Sequence, residues 1–139
     1  MIKKILLAND GSESANKAFA FALDIAKQYG AELYVLAVAR PPEFGGGTVE
    51  TEAILENYQT HYQNILEPLK AKIAAEDVTA HFKVAVGHPA EQIVYHADEY
   101  AVDLIVVGHR GHSIFKRLLI GSVANYVINN ARCSVLVAR

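Results

Sequence analysis

The sequence has a single cysteine, Cys133, so no disulfide can close within the chain. That excludes a small disulfide-stapled scaffold and fits a reducing compartment. Cys133 opens the apolar run "CSVLVA", which reads as a buried structural thiol rather than a catalytic one. Charge of one sign is missing too: 13 basic residues stand against 15 acidic ones, for a formal charge of −2. No global basic field argues for nucleic acid, and no acidic tail argues for disorder. No apolar stretch approaches the length of a membrane span. In "MIKKILLAND" the apolar run is only four residues before Asn9 and Asp10, too short for a signal peptide. The expected location is therefore the cytoplasm. Internal repeats, long linkers and low-complexity tracts are also lacking.

What is present is ordinary in bulk. A chain of 139 residues, 52% of them hydrophobic and 20% charged, suits one soluble domain over 1–139 that buries its own core. Short apolar runs alternate with helical patterns. Ile2 to Ala8 reads as a strand that stops at Asn9-Asp10-Gly11-Ser12, a cluster of turn residues. Ser12 can cap a helix over Glu13 to Tyr29, with Ala15, Phe19, Ala22 and Ala26 on one face and Gly30 as its stop. Glu32 to Ala39 is a second strand. "RPPEFGGG" can continue neither element and must be a loop. A helical pattern then runs from about Val49 to Ala75, and Pro68 is expected to kink or split it.

Val78 to Val86 alternates strictly. Val78, Ala80, Phe82, Val84 and Val86 fall on one face, and Thr79, His81 and Lys83 on the other, as in a half-exposed edge strand. Pro89 suits the first turn of a helix that reaches about Tyr100. Asp103 to Gly108, a helix from Ser122 to about Asn130, and the closing run "SVLVA" complete the order β-α-β-α-β-α-β-α-β. Helices of crossover length between apolar strands predict an α/β fold. The expectation is a three-layer, doubly wound, five-stranded parallel sheet, flavodoxin- or Rossmann-like, with strand order 3-2-1-4-5. Such sheets bind ligands beyond the carboxyl ends of their strands, where the strand order reverses. The loops after the first and fourth strands, "NDGS" and "GHRGHS…IGS", are then the candidates.

The segment Val106 to Ala124, "VVGHRGHSIFKRLLIGSVA", admits several chemistries. His109 and His112 stand three apart, a spacing that could seat one metal on a helix. Gly111 between them disfavours that helix, and no third ligand lies near in sequence. His-Arg-Gly-His also matches the His-x-Gly-His of nucleotidyl transferases, but in those proteins the motif follows the first strand, and here it follows the fourth. A phosphate loop uses more of the segment. Gly108 would let the chain turn, Gly111 would let backbone approach a ligand, and Gly121-Ser122 would open a helix whose N-terminus attracts anions. Ser122 would cap that helix. Arg110, Lys116 and Arg117 add positive charge.

The spacing Gly108, two residues, Gly111, nine residues, Gly121-Ser122 resembles the nucleotide loop of the universal stress protein family in its ATP-binding branch. The resemblance covers almost the whole chain, from "KKILLANDGSESANKAFAFALDIAKQYGAELYVLAVA" to "DLIVVGHRG" and "LLIGSVANYVINNARCSVLVAR". It implies a site made of Ala8, Asp10, Val38, Val107, Gly108, Arg110, Gly111, Gly121, Ser122 and Val123. Asp10 would lie at the ribose, the backbone of Val38 at adenine, and Val107 and Gly108 beside the ribose. Arg110, Gly111, Gly121, Ser122 and Val123 would take the phosphates, mostly through backbone N–H groups. Ala8 and Asn9 depart from the proline or valine, and the threonine or valine, of many relatives. The implied ligand is ATP or AMP, with Mg²⁺ or Mn²⁺ held by the phosphates. The implied role is a stress-response regulator rather than an enzyme. The alternatives are a nucleotidyl transferase or a slow ATPase using the same loop. The resemblance also implies a homodimer through the last strand, whose apolar run would otherwise be an exposed edge.

Overall fold

In the computed structural model, residues 1–40, 49–110 and 120–139 are described, with the side chains of 49–55 and of residue 58 excepted. The "PPEFGGG" loop and Gly111, His112, Lys116 and Arg117 lie outside the described residues. The elements run β1 (Lys4–Ala8), α1 (Glu13–Tyr29), β2 (Glu32–Ala39), α2 (Val49–Ala74), β3 (Ala80–Val86), α3 (Pro89–Tyr100), β4 (Leu104–Gly108), α4 (Ser122–Asn130) and β5 (Ser134–Ala138). The five strands form one sheet in the order β3-β2-β1-β4-β5, every pairing parallel. This is the predicted doubly wound topology.

Adjacent residues in the central strands are buried on opposite faces. Leu6 and Leu7 are both fully buried, as are Ile105 and Val106. Ile5, Leu7, Leu33, Val35 and Val106 pack with Phe19 of α1 and with Leu66, Leu69 and Ile73 of α2. Leu6, Leu36, Ile105 and Val107 pack on the other side with Ile93 and Ala97 of α3 and with Ala124 and Val127 of α4. Each fully buried aliphatic side chain stabilises the fold by about 1.5–3 kcal/mol relative to exposure. Winding runs outward from β1 through β2 to β3, then crosses back to β4 and β5. The strand order therefore reverses between β1 and β4, the place where ligand crevices form in such sheets.

Local chemistry holds the ends. Ser12 caps α1, its hydroxyl accepting from the Ala15 N–H at 3.2 Å. Gly30 ends the helix at φ 64°, a left-handed conformation that suits a residue without Cβ. The Asp103 carboxylate accepts from the backbone N–H groups of Lys3 (2.8 Å) and Lys4 (3.0 Å), tying the start of β4 to the start of β1.

Of the two outcomes expected at Pro68, a kink or a split, the split does not occur, since α2 is continuous across it. Its ring removes one backbone hydrogen bond, but Leu66, Leu69 and Ile73 on either side are buried against the sheet and keep the helix seated. The alternation of β3 holds only as far as Val84. Ala85 is buried with the α3 and α4 core and Val86 is exposed, because the strand's end leaves the cover of α2 for that of α3. Ser122 does not cap α4. Gly121 occupies the cap and Ser122 is the first helical residue.

Candidate functional site

A hollow of about 430 Å³ opens at the carboxyl ends of β1, β2 and β4. Ala8, Asp10, Val38, Val107, Gly108, Arg110, Gly121, Ser122 and Val123 all line it. The fold thus gathers every predicted site residue that is described; Gly111 lies outside the described residues. Sequence reading did not place Leu36, Arg40, Tyr62, Pro89, Ile93 and Ala124 on the same walls. Arg40 was accessible to the strand-end rule, since it directly follows β2. Tyr62, Pro89 and Ile93 sit on helices and carry no such signal.

The floor is apolar, with Leu36 and Val107 buried and Val38 nearly so. One rim is the turn after β1. There the Asn9 side-chain oxygen accepts from the Gly11 N–H (2.7 Å), and an Asp10 carboxylate oxygen accepts from the Ser12 N–H (2.9 Å). These two bonds fold the turn back on itself and direct the chain into α1. They also fix the Asn9 amide orientation and leave its Nδ2 buried without a partner among the described residues. A buried donor in that state costs about 1–3 kcal/mol, a cost that binding sites often carry.

The opposite rim is the start of α4. Gly121 there makes no side-chain capping bond, and the first turn holds no acidic residue. Its first N–H groups therefore present partial positive charge, with the Arg110 guanidinium on the same hollow. Gly108 is not required for a left-handed backbone, since its φ is not positive. It is needed because α1 comes too close: a Cβ there would lie 2.7 Å from the Ser14 carbonyl carbon. His109 is held at both backbone groups. Its N–H donates to the Ala138 carbonyl (2.9 Å), and its carbonyl accepts from the Gly121 N–H (2.6 Å).

Among the described residues, no group of three or more His, Cys, Asp or Glu side chains could hold a metal ion. None of their helices is long and apolar enough to cross a membrane. Partial burial raises the Cys133 thiol pKa above its ordinary value, which lowers its thiolate fraction.

The chain is thus a doubly wound α/β domain with a hollow at its switch point, apolar at the floor and with Arg40 and Arg110 on its walls. The profile of the universal stress protein family matches residues 1–139, and the chain belongs to that family. It is 37% identical to universal stress protein MJ0531 of Methanocaldococcus jannaschii, over all of this chain and 83% of the relative. Its fold matches that of the universal stress protein UspA from Lactobacillus plantarum with a TM-score of 0.91, at 26% identity, over 99% of this chain and 98% of the other. A universal stress protein solved in complex with cAMP matches with a TM-score of 0.77, also at 26% identity, over 99% of this chain and 97% of the other.

Proposed function

We propose that the protein binds an adenine nucleotide, ATP or AMP, in this hollow and acts as a nucleotide-responsive regulator in the cytoplasm. The observation that carries the reading is the convergence, on one hollow, of an apolar floor and the uncapped, acid-free start of α4. A purine fits the floor formed by Leu36, Val38 and Val107. The phosphates fit the N–H groups of Ser122 and Val123 and the side chain of Arg110. The Asn9 Nδ2, which has no partner among the described residues, gives a polar ligand a donor to meet. The relative with cAMP bound supports an adenine nucleotide as the ligand. Mg²⁺ or Mn²⁺ would be held by the nucleotide's phosphates rather than by a protein cage. Asp10 and His109 also line the hollow, and binding rather than turnover is the role assigned to it.

Calorimetry with ATP, ADP, AMP and GTP tests the reading. Heat is expected with the adenine nucleotides, at micromolar to millimolar affinity. No heat with any of them at millimolar ligand overturns it. Pyrophosphate release on incubation with CTP or ATP and a panel of alcohol phosphates would point to the nucleotidyl transferase instead.

A further inference from the structure

One polar pair at this hollow has no place in the reading above. The Ser14 hydroxyl, in the first turn of α1, lies 3.1 Å from Nδ1 of His109, a residue 95 positions away in sequence. The same oxygen accepts from the Arg110 N–H at 3.3 Å. Ser14 is only 9% exposed, so these bonds are shielded from water. His109 cannot drift from this contact, because Ala138 and Gly121 hold its backbone on both sides.

We infer that Ser14 fixes the tautomer of His109 and that His109 thereby presents an Nε2–H donor to a phosphate oxygen of the bound nucleotide. This rests on the nucleotide reading above. A serine hydroxyl has one proton and two acceptor lone pairs. Arg110 uses one lone pair. Nδ1 of His109, at 3.1 Å, is within reach of the proton as its acceptor. With Nδ1 accepting, the imidazole proton sits on Nε2. Nδ1 is turned back onto α1 and His109 lines the hollow, so Nε2 is the nitrogen left to a ligand. The N–H groups opening α4 begin one hydrogen bond away, through the His109 carbonyl. Ring and helix therefore offer donors to the same anion. In this assignment His109 touches the ligand and Ser14 is a positioning residue.

Two measurements on the intact protein test this. Nitrogen-15 NMR of the imidazoles in the ligand-free protein reads the tautomer directly. Nδ1 should show the shift of an unprotonated nitrogen and Nε2 that of a protonated one, and Ser14→Ala should mix the two forms. An Nδ1–H tautomer in the wild type overturns the inference. Binding of ATP and of adenosine is then compared across variants that melt like the wild type. His109→Ala should weaken ATP about tenfold and leave adenosine within about twofold, as expected for one charge-assisted hydrogen bond. Ser14→Ala should weaken ATP less, about threefold. His109→Gln, whose amide can reach the Nε2 position, should recover part of the loss. If the wild type binds ATP but His109→Ala binds it equally well, or loses adenosine in equal measure, the assignment of His109 falls and the nucleotide site stands. If the wild type binds neither ligand, the nucleotide reading itself falls.

Discussion

Gly108 and Gly121 are both loop glycines in the sequence, yet their roles differ. At Gly108 the obstacle to a side chain is the backbone of Ser14, which a rotamer change cannot clear. Gly108→Ala must push β4 and α1 apart, an overpacking cost of about 1–3 kcal/mol. Thermal unfolding should show a clear drop in Tm, and ATP affinity should fall with it. Gly121 has φ −65° and ψ 161°, a conformation any residue adopts. Gly121→Val should therefore leave the protein folded, with a Tm lowered only by the loss of about 1 kcal/mol of capping, while abolishing ATP binding, because the new side chain crowds the start of α4. A Gly121→Val protein that binds ATP normally would remove that loop edge from the site. The spacing of the two glycines was legible in the sequence, but the reason for Gly108 was not. It depends on α1, far away in the chain, approaching at close range. The Ser14–His109 pair was hidden for the same reason, since separation along the chain conceals which side chains the fold brings together.

Elements with strong periodicity were legible almost to their ends. The Ala-rich face of α1, the continuous apolar strands and the polar turns between them all follow from the sequence pattern. What pattern could not supply was tertiary compensation, as at Pro68, or the change of covering helix that inverts the last residues of β3. His81 reads as a charge-bearing edge residue and also has partners. Its ring stacks on Tyr34 at 4.8 Å, and its Nε2 lies 3.2 Å from the Glu32 carboxylate. The tie between β1 and β4 gives a pH prediction. Two backbone N–H groups, of Lys3 and then Lys4, hold the Asp103 pKa below its ordinary value. A carboxylate whose pKa is depressed on folding stabilises the native state above its unfolded value of about 3.9, and this is lost as pH falls through the folded value. Asp103→Asn should lower the urea midpoint at pH 7. The gap between variant and wild type should close as pH is taken below about 4. A gap of constant size down to pH 2 would mean that the charge of Asp103 contributes nothing.

The whole molecule has two sheet edges of unlike character. β3 bears exposed His81 and Lys83 at its edge, a protection against strand addition. β5 carries Val135, Leu136 and Val137 in succession, each half-buried, with Ser134 before them and Ala138 after. It pairs on one side with β4 and is the outermost strand on the other. An apolar edge of this kind favours pairing with an identical strand. A two-fold antiparallel arrangement satisfies both copies and closes the assembly without growing a fibre. We therefore propose a homodimer through Ser134 to Ala138, formed with or without nucleotide. The edge lies beside the candidate site, because the Ala138 carbonyl holds the His109 N–H. Light scattering at tens of micromolar should give about twice the chain mass of 15.2 kDa. Leu136→Lys, kept only if its circular dichroism and melting match a folded chain, should shift the protein toward monomer and weaken ATP binding modestly. A native monomer at that concentration, or a folded Leu136→Lys protein that remains fully dimeric, would show that copies do not meet at this edge.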